Sequence, residues 1–192
     1  MVACGDADAM VTGNTRRYGQ SLQKIIKVVD PRPGEIMFGL NMVVNKGRTV
    51  FIGDTSVHEY PTSKQLAEIA ISSARVVRLF GFTPKIAFLS HSTFGQPMTS
   101  RTKHIRDAVE ILKKMKVDFK FDGDMQPDVA LNDEYKELYP LSDIVGNANV
   151  LIMPGQHSAA ISYKIMKSMS SAKVIGPLLI GLGAAIEIAP LR

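Results

Sequence analysis

Beyond residue 60 the chain switches repeatedly between two hydrophobic periods, and this alternation constrains its fold more than any other feature. The run "YPTSKQLAEIAISSARVVRLFG" places Leu66, Ile69, Ala70, Ser73, Val76, Val77 and Phe80 on one helical stripe. Thr62 and Gln65 have the spacing of a capping box, and Gly81 is placed to end the helix. The apolar run "KIAFL" at 85–89 then reads as a buried strand. A helical pattern returns over 101–115, a strand over 120–125 and a helix after Pro127. A strand over 148–155, a helix over 157–169 and a last strand in "AKVIGPLLIG" complete the series. Strands alternating with helices predict an α/β fold, a mostly parallel sheet with flanking helices on both faces.

The first third is less regular. Leu22, Ile25, Ile26 and Val29 predict a helix over 15–28, with Asn14 or Thr15 as cap and Pro31, Pro33 and Gly34 as the stop. Two strands, 36–44 and 49–52, are joined at Asn45-Lys46-Gly47, a hairpin signal. The opening "MVACGDADAMVTG" reads as the end of a buried strand, and "LLIGLGAAIEIAPLR" stops just after an apolar segment. Such termini predict a piece of a longer polypeptide.

Composition narrows the function classes. The 192 residues are 45% hydrophobic and 21% charged, the balance expected of a soluble globular chain with one sizeable core. No apolar run is long and uncharged enough to predict a membrane span, and no signal-peptide pattern is expected. Cys4 is the only cysteine, which excludes an intrachain disulfide and fits a reducing cytoplasm. The net charge is +5, but Arg75, Arg78, Lys113, Lys114 and Lys116 are spread along helices. With no tryptophan and no aromatic–basic interleaving, nucleic acid is not an expected partner.

Candidate chemistry gathers where strands end. "SHSTFG" at 90–95 offers hydroxyls, backbone N–H groups and a permissive glycine after a strand, a usual place for an anionic ligand in α/β proteins. The same residues suit an ordinary turn that caps the next helix. "DGDMQPD" gathers Asp122, Asp124, Gln126 and Asp128, which suit a metal, proton exchange, or simple capping of the Pro127 helix. Thr12 and Gly13 end the "GDADAMVTG" strand, where small residues admit a ligand or another strand. His91 and His157 both follow strands, within reach of a common cleft, but no His-x-x-x-His pair predicts zinc. Walker A, Gly-x-Gly-x-x-Gly and Gly-x-Ser-x-Gly patterns are all absent.

Six segments taken together are more specific. "GDADAMVTG", "DTSVHEYPTSKQLAEIA", "KIAFLSHSTFG", "DGDMQPDVAL", "ANVLIMPGQHSAAISYK" and "VIGPLLIGL" follow the order found in the phosphate acetyl/butyryltransferase family. The chain resembles that family over nearly its whole length. "GDADAMVTG", "SHSTFG" and "MPGQHSAAIS" look most like the branch fused to bacterial NADP-dependent malic enzymes. Active transferases continue from Ile-Gly-Pro into Lys-Pro and then Asp-Leu-Ser-Arg-Gly, whose Ser and Arg serve the reaction. Here Ala184-Ala185 replaces Lys-Pro, and Pro190-Leu191 falls where Ser-Arg would be.

The resemblance implies a two-lobed architecture like that of isocitrate and isopropylmalate dehydrogenases, with this chain forming mainly the second lobe. It implies that residues 1–192 are a phosphate acetyl/butyryltransferase-like domain without its N-terminal part and without a malic-enzyme catalytic domain. The 90–95 loop resembles the family's Ser-Thr-x-Gly-Ser loop, which lines the cleft for acyl phosphate or the CoA thioester. Ser92, Thr93 and Gly95 match, and Gln96 replaces the last serine. Asp122, Gln126 and Asp128 are then expected at the cleft, with Thr12 and Gly13 at its floor. No catalytic residue and no metal are expected in this chain. The implied function is a cytoplasmic regulatory and dimerisation domain that binds acetyl-CoA. NADP and a divalent metal would sit in another domain of the parent. The implied partners are a homodimer or higher homo-oligomer, with exposed apolar faces on the 66–80 or 157–169 helix, and neither nucleic acid nor membrane. Two other readings are an active phosphate acetyltransferase and a purely structural dimerisation module.

Overall fold

The computed structural model describes residues 1–189. Its strands are β1 (Ala9–Gly13), β2 (Phe38–Asn45), β3 (Arg48–Gly53), β4 (Lys85–Leu89), β5 (Lys120–Met125), β6 (Val150–Ile152), β7 (Lys173–Ile180) and β8 (Ala185–Ala189). Its helices are α1 (Tyr18–Ile25), α2 (Ser63–Leu79), α3 (Ser100–Met115), α4 (Pro127–Leu131) and α5 (Gln156–Met169). The expected mostly parallel α/β fold is what forms. Six strands order as β5-β4-β6-β3-β2-β7. β5, β4, β6 and β3 run parallel, and only β2 opposes its neighbours. The β2–β3 hairpin turns at Lys46 and Gly47, whose positive φ values of 47° and 79° match the twist of the strands.

Side chains alternate across β4 in a way that explains the continuous apolar run. Ile86 and Phe88 join the core under α2 and α3, with Leu66, Ile69, Ala108 and Leu112. Ala87 and Leu89 join the opposite core, with Met125, Val129, Ile144 and Ala159. α2 is held by the expected capping box between Thr62 and Gln65. Thr99 and Thr102 form a second one on α3. The apolar stripe of α2 is buried from Leu66 to Val77, where it covers the sheet, so an exposed apolar face is found only at its end, at Phe80. α5 differs: Ile161, Ile165 and Met169 are exposed at helical spacing. Among the described residues, no helix is long and apolar enough to cross a membrane.

A two-stranded parallel sheet, β1 with β8, packs with α1 over a third cluster that includes Leu22, Ile25, Leu179, Ile186 and Ile188. Three expectations change here. α1 begins at Tyr18 without a side-chain cap, because Asn14 and Thr15 are used in the turn after β1. There Asn14 N–H donates to the Ala189 carbonyl and Thr15 N–H to that of Gly13. β1 is largely exposed rather than buried, as one partner of a two-stranded sheet. β8 is an unexpected strand: Ile186 and Ile188 face inward and Glu187 lies between them, the period-2 pattern of a half-buried strand.

Candidate functional site

The carboxyl ends of β3, β4, β5 and β6 share one edge of the sheet, and two buried aspartates shape the loops that leave it. Asp54 follows β3 and is buried. Its Oδ1 accepts from the N–H groups of Gly39 (2.8 Å), Ser56 (2.9 Å) and Val57 (3.1 Å). Its Oδ2 accepts from the His58 N–H (2.8 Å) and ring Nδ1 (2.7 Å). A carboxylate so saturated fixes the 54–62 segment as one wall of the edge.

Asp124 plays the matching part at the end of β5, with no exposed surface. Its Oδ2 accepts from the Ser92 hydroxyl, and its Oδ1 from the Gly95 N–H at 3.0 Å. Its carbonyl accepts from the Phe94 N–H at 2.7 Å, and Arg106 Nε lies 3.9 Å from Oδ1. Thr93 Oγ1 accepts from the Gln126 N–H at 3.3 Å, and the Ser90 N–H donates to the Met125 carbonyl. The loop after β4 is thus laced onto the end of β5. Gly95 is favoured by its backbone: its φ is +82°, a conformation that strains other residues, while the Arg106 side chain that a Cβ would meet can move aside.

Between these loops lies a cavity of about 870 Å³. Leu89, Ile105, Met153 and Pro127 give it apolar walls, and the 59–62 segment closes one side. Its polar lining includes Thr62, Ser90, Ser100 and Ser158, with His91, His104 and His157. Thr62, Ser100, Pro127 and Gly155 stand at the starts of α2, α3, α4 and α5. The three longer helices, α2, α3 and α5, therefore have their N-terminal ends, the positive ends of their dipoles, at this space. His104 Nε2 donates to the Pro61 carbonyl at 2.7 Å and so ties α3 to the wall. At the mouth His157 Nε2 meets Glu59 Oε1 at 3.1 Å, and its ring stacks with Tyr60. An arrangement of hydroxyls, imidazoles and helix starts suits a ligand with both anionic and apolar parts.

The expected site residues divide around this space. Ser92 is fully buried, bonded to Asp124, and does not line the cavity. Thr93 is buried against Gln126, and Gly95 packs under Arg106. The loop's contribution to the wall is Ser90 and His91. Asp122 turns to its own neighbour, accepting from the Gly123 N–H at 2.9 Å. Asp128 is exposed in the first turn of α4 and lies close enough to Tyr135 to raise that phenol's pKa. Thr12 and Gly13 are in the small sheet, away from the cavity lining. Gly13 is needed for strand pairing, since a Cβ would strike the Ala189 carbonyl. Pro190, Leu191 and Arg192 lie outside the described residues. His91 and His157 do reach a common cleft, as their positions after strands suggest. The organising roles of Asp54 and Asp124 are not separable in the sequence from capping aspartates; a Gly-Asp pair at the end of a strand is shared by both, but Gly5-Asp6 is a Gly-Asp pair as well. No cluster of metal-ligating side chains occurs among the described residues.

Comparison with known proteins places this geometry. The NADP-dependent malic enzyme of Rhizobium meliloti is 46% identical over the whole chain, which spans 25% of that enzyme's length. The phosphate acetyltransferase of Clostridium acetobutylicum is 35% identical over 95% of the chain and 58% of its own length. A phosphotransacetylase from Streptococcus pyogenes superposes with a TM-score of 0.93 at 29% identity, covering all of this chain and 59% of that one. The EutD phosphotransacetylase from Staphylococcus aureus gives 0.85 at 27% identity, over 98% of this chain and 59% of its own. The profile described as "Phosphate acetyl/butaryl transferase" matches residues 1–190, and the chain belongs to that family.

Proposed function

We propose that this chain is the regulatory phosphotransacetylase-like region of a malic enzyme, and that the cavity at the carboxyl edge binds acetyl-CoA as an effector. The observation that carries the reading is the end-to-end match to malic enzymes at up to 46% identity, over a quarter of their length. The cavity supports it physically: apolar walls for an acyl group, and converging helix starts and imidazoles for anionic groups. On this reading malate, NADP and a divalent metal are handled by the rest of the polypeptide, in the cytoplasm. The region also assembles as a homodimer or higher oligomer, with the exposed face of α5 as a contact surface.

A second reading, an active phosphate acetyltransferase, is favoured by the match to the Clostridium acetobutylicum enzyme. Pro190-Leu191 argues against it, since neither side chain supplies an oxyanion donor or a charge. Loss of one such donor costs about 3–4 kcal/mol of barrier. Titration calorimetry of acetyl-CoA into the full-length protein tests the first reading. Binding that is abolished by filling the cavity with Ser158→Trp supports it; binding indifferent to that change removes the cavity from the account.

A further inference from the structure

The Asp124 carboxylate fixes the direction of a hydrogen-bond chain that ends in the cavity wall. A serine hydroxyl carries one proton. Ser92 gives its proton to Asp124 Oδ2. In the 3.1 Å contact between the Ser90 and Ser92 hydroxyls, Ser92 is therefore the acceptor and Ser90 the donor. The Ser92 N–H also reaches Ser90 Oγ, at 3.3 Å. Ser90, which lines the cavity, has then spent its only proton inward. Its oxygen has a lone pair left for whatever occupies the cavity. The other oxygen of Asp124 is engaged by the Gly95 N–H and lies near Arg106, so the carboxylate is held in place as the end of the chain.

We propose that Ser90 is a hydrogen-bond acceptor in the cavity wall, and that this wall selects a ligand group bearing an N–H, O–H or S–H while disfavouring a bare oxyanion. The composition of the loop alone suggests the opposite, because a run of hydroxyls after a strand looks like an anion site. Asp124 reverses that reading by claiming the protons. The proposal rests on the cavity being the ligand site argued above, and it orients the ligand there. An amide- or thiol-bearing arm faces Ser90, and anionic groups lie toward the other side of the cavity, where α2 and α5 begin.

Two measurements on the full-length protein test this. Neutron diffraction from crystals exchanged into heavy water locates the Ser90 deuteron without any ligand. It is expected on the line to Ser92; a deuteron pointing into the cavity overturns the proposal. Titration calorimetry then compares pantetheine, which carries donors, with sulfate, which only accepts. Asp124→Asn is the informative variant. Asparagine keeps an oxygen for the Gly95 N–H but turns a donor toward Ser92, which reverses the chain and sends the Ser90 proton into the cavity. Sulfate is expected to bind about fivefold tighter and pantetheine about fivefold weaker, the value of one hydrogen bond. Ser92→Ala frees the Ser90 proton but leaves its second lone pair open, so it is expected to tighten sulfate about fivefold with pantetheine unchanged, and it carries the test if Asp124→Asn does not fold. Unchanged sulfate affinity in a folded variant overturns the proposal. If neither probe binds the wild type, the ligand reading of the cavity fails, and the deuteron position still decides the polarity of Ser90.

Discussion

His58 gives the Asp54 carboxylate two hydrogen bonds, one from its backbone N–H at 2.8 Å and one from ring Nδ1 at 2.7 Å. With three further backbone donors on the same buried carboxylate, the 54–62 wall depends on this one side chain. Asp54→Ala leaves those N–H groups without their acceptor. The variant should be less stable by about 3–5 kcal/mol in urea unfolding. A loss below about 1 kcal/mol would mean that water replaces the carboxylate and the wall is not built on it.

Glu35 and Arg75 form a bidentate pair at 2.6 and 2.7 Å that ties the segment before β2 to α2. Arg75 hydrogen bonding, ahead of its charge, lowers the Glu35 pKa below the usual glutamate range. A lowered folded-state pKa contributes stability that is present above the unfolded value and lost as the pH falls through the folded one. Arg75 is half exposed and solvent screens the pair, so its coupling should be no more than about 1 kcal/mol. A double-mutant cycle with Glu35→Gln and Arg75→Met should show that coupling at neutral pH and none in acid. Equal coupling at both would contradict the assignment.

Burial shifts Glu187 in the other direction. Its half-buried carboxyl is raised by desolvation, an effect only partly opposed by the Leu179 N–H at 3.0 Å. A raised carboxyl pKa means stability that is greatest when the group is protonated and declines as the pH rises through the folded value. Glutamine keeps an acceptor for Leu179 and removes the buried charge. Glu187→Gln should therefore raise the melting temperature at neutral pH by about 2–4 °C, the equivalent of about 1 kcal/mol. A lower melting temperature would show that the charge is stabilising.

Tyr18 lies in the same region, and its phenol is pushed up to about 12, chiefly by burial, with the Ser56 hydrogen bond opposing. The neutral form is favoured by folding, so stability is intact below the ordinary tyrosine value of 10.0 and falls as the pH rises from there to about 12. Tyr135 and Tyr163 are also raised, so in a phenolate absorbance titration several tyrosines should ionise late, and Tyr18→Phe should remove the highest of these steps. A titration unchanged by the substitution would place the late group elsewhere.

The large sheet is legible in the sequence because both of its faces are covered. Runs such as Ile86–Leu89 are apolar on every residue, and the helices between them carry clear stripes and caps. β8 is harder to read: "AIEIA" does alternate, but over five residues only, and its central glutamate is half-buried by the packing of α1 and β7 against the strand. At the site, the residue types and their place at strand ends are readable, including the convergence of His91 and His157. Which hydroxyl faces the cavity is not readable, because it is set by a carboxylate 32 residues away in sequence. Ser92 and Ser90 are chemically alike, and only Asp124 makes one a structural tie and the other a wall.

The most direct test of the central claim is the effector response of malate turnover. Purified full-length protein would be assayed for NADPH formation from malate over a range of acetyl-CoA, alongside Ser158→Trp, with acetyl phosphate and CoA consumption followed in parallel. If the cavity binds the effector, malate turnover changes with acetyl-CoA in the wild type and is insensitive to it in the variant, with little or no transferase activity in either. Turnover indifferent to acetyl-CoA, or transferase activity comparable to that of a phosphotransacetylase, would contradict the claim.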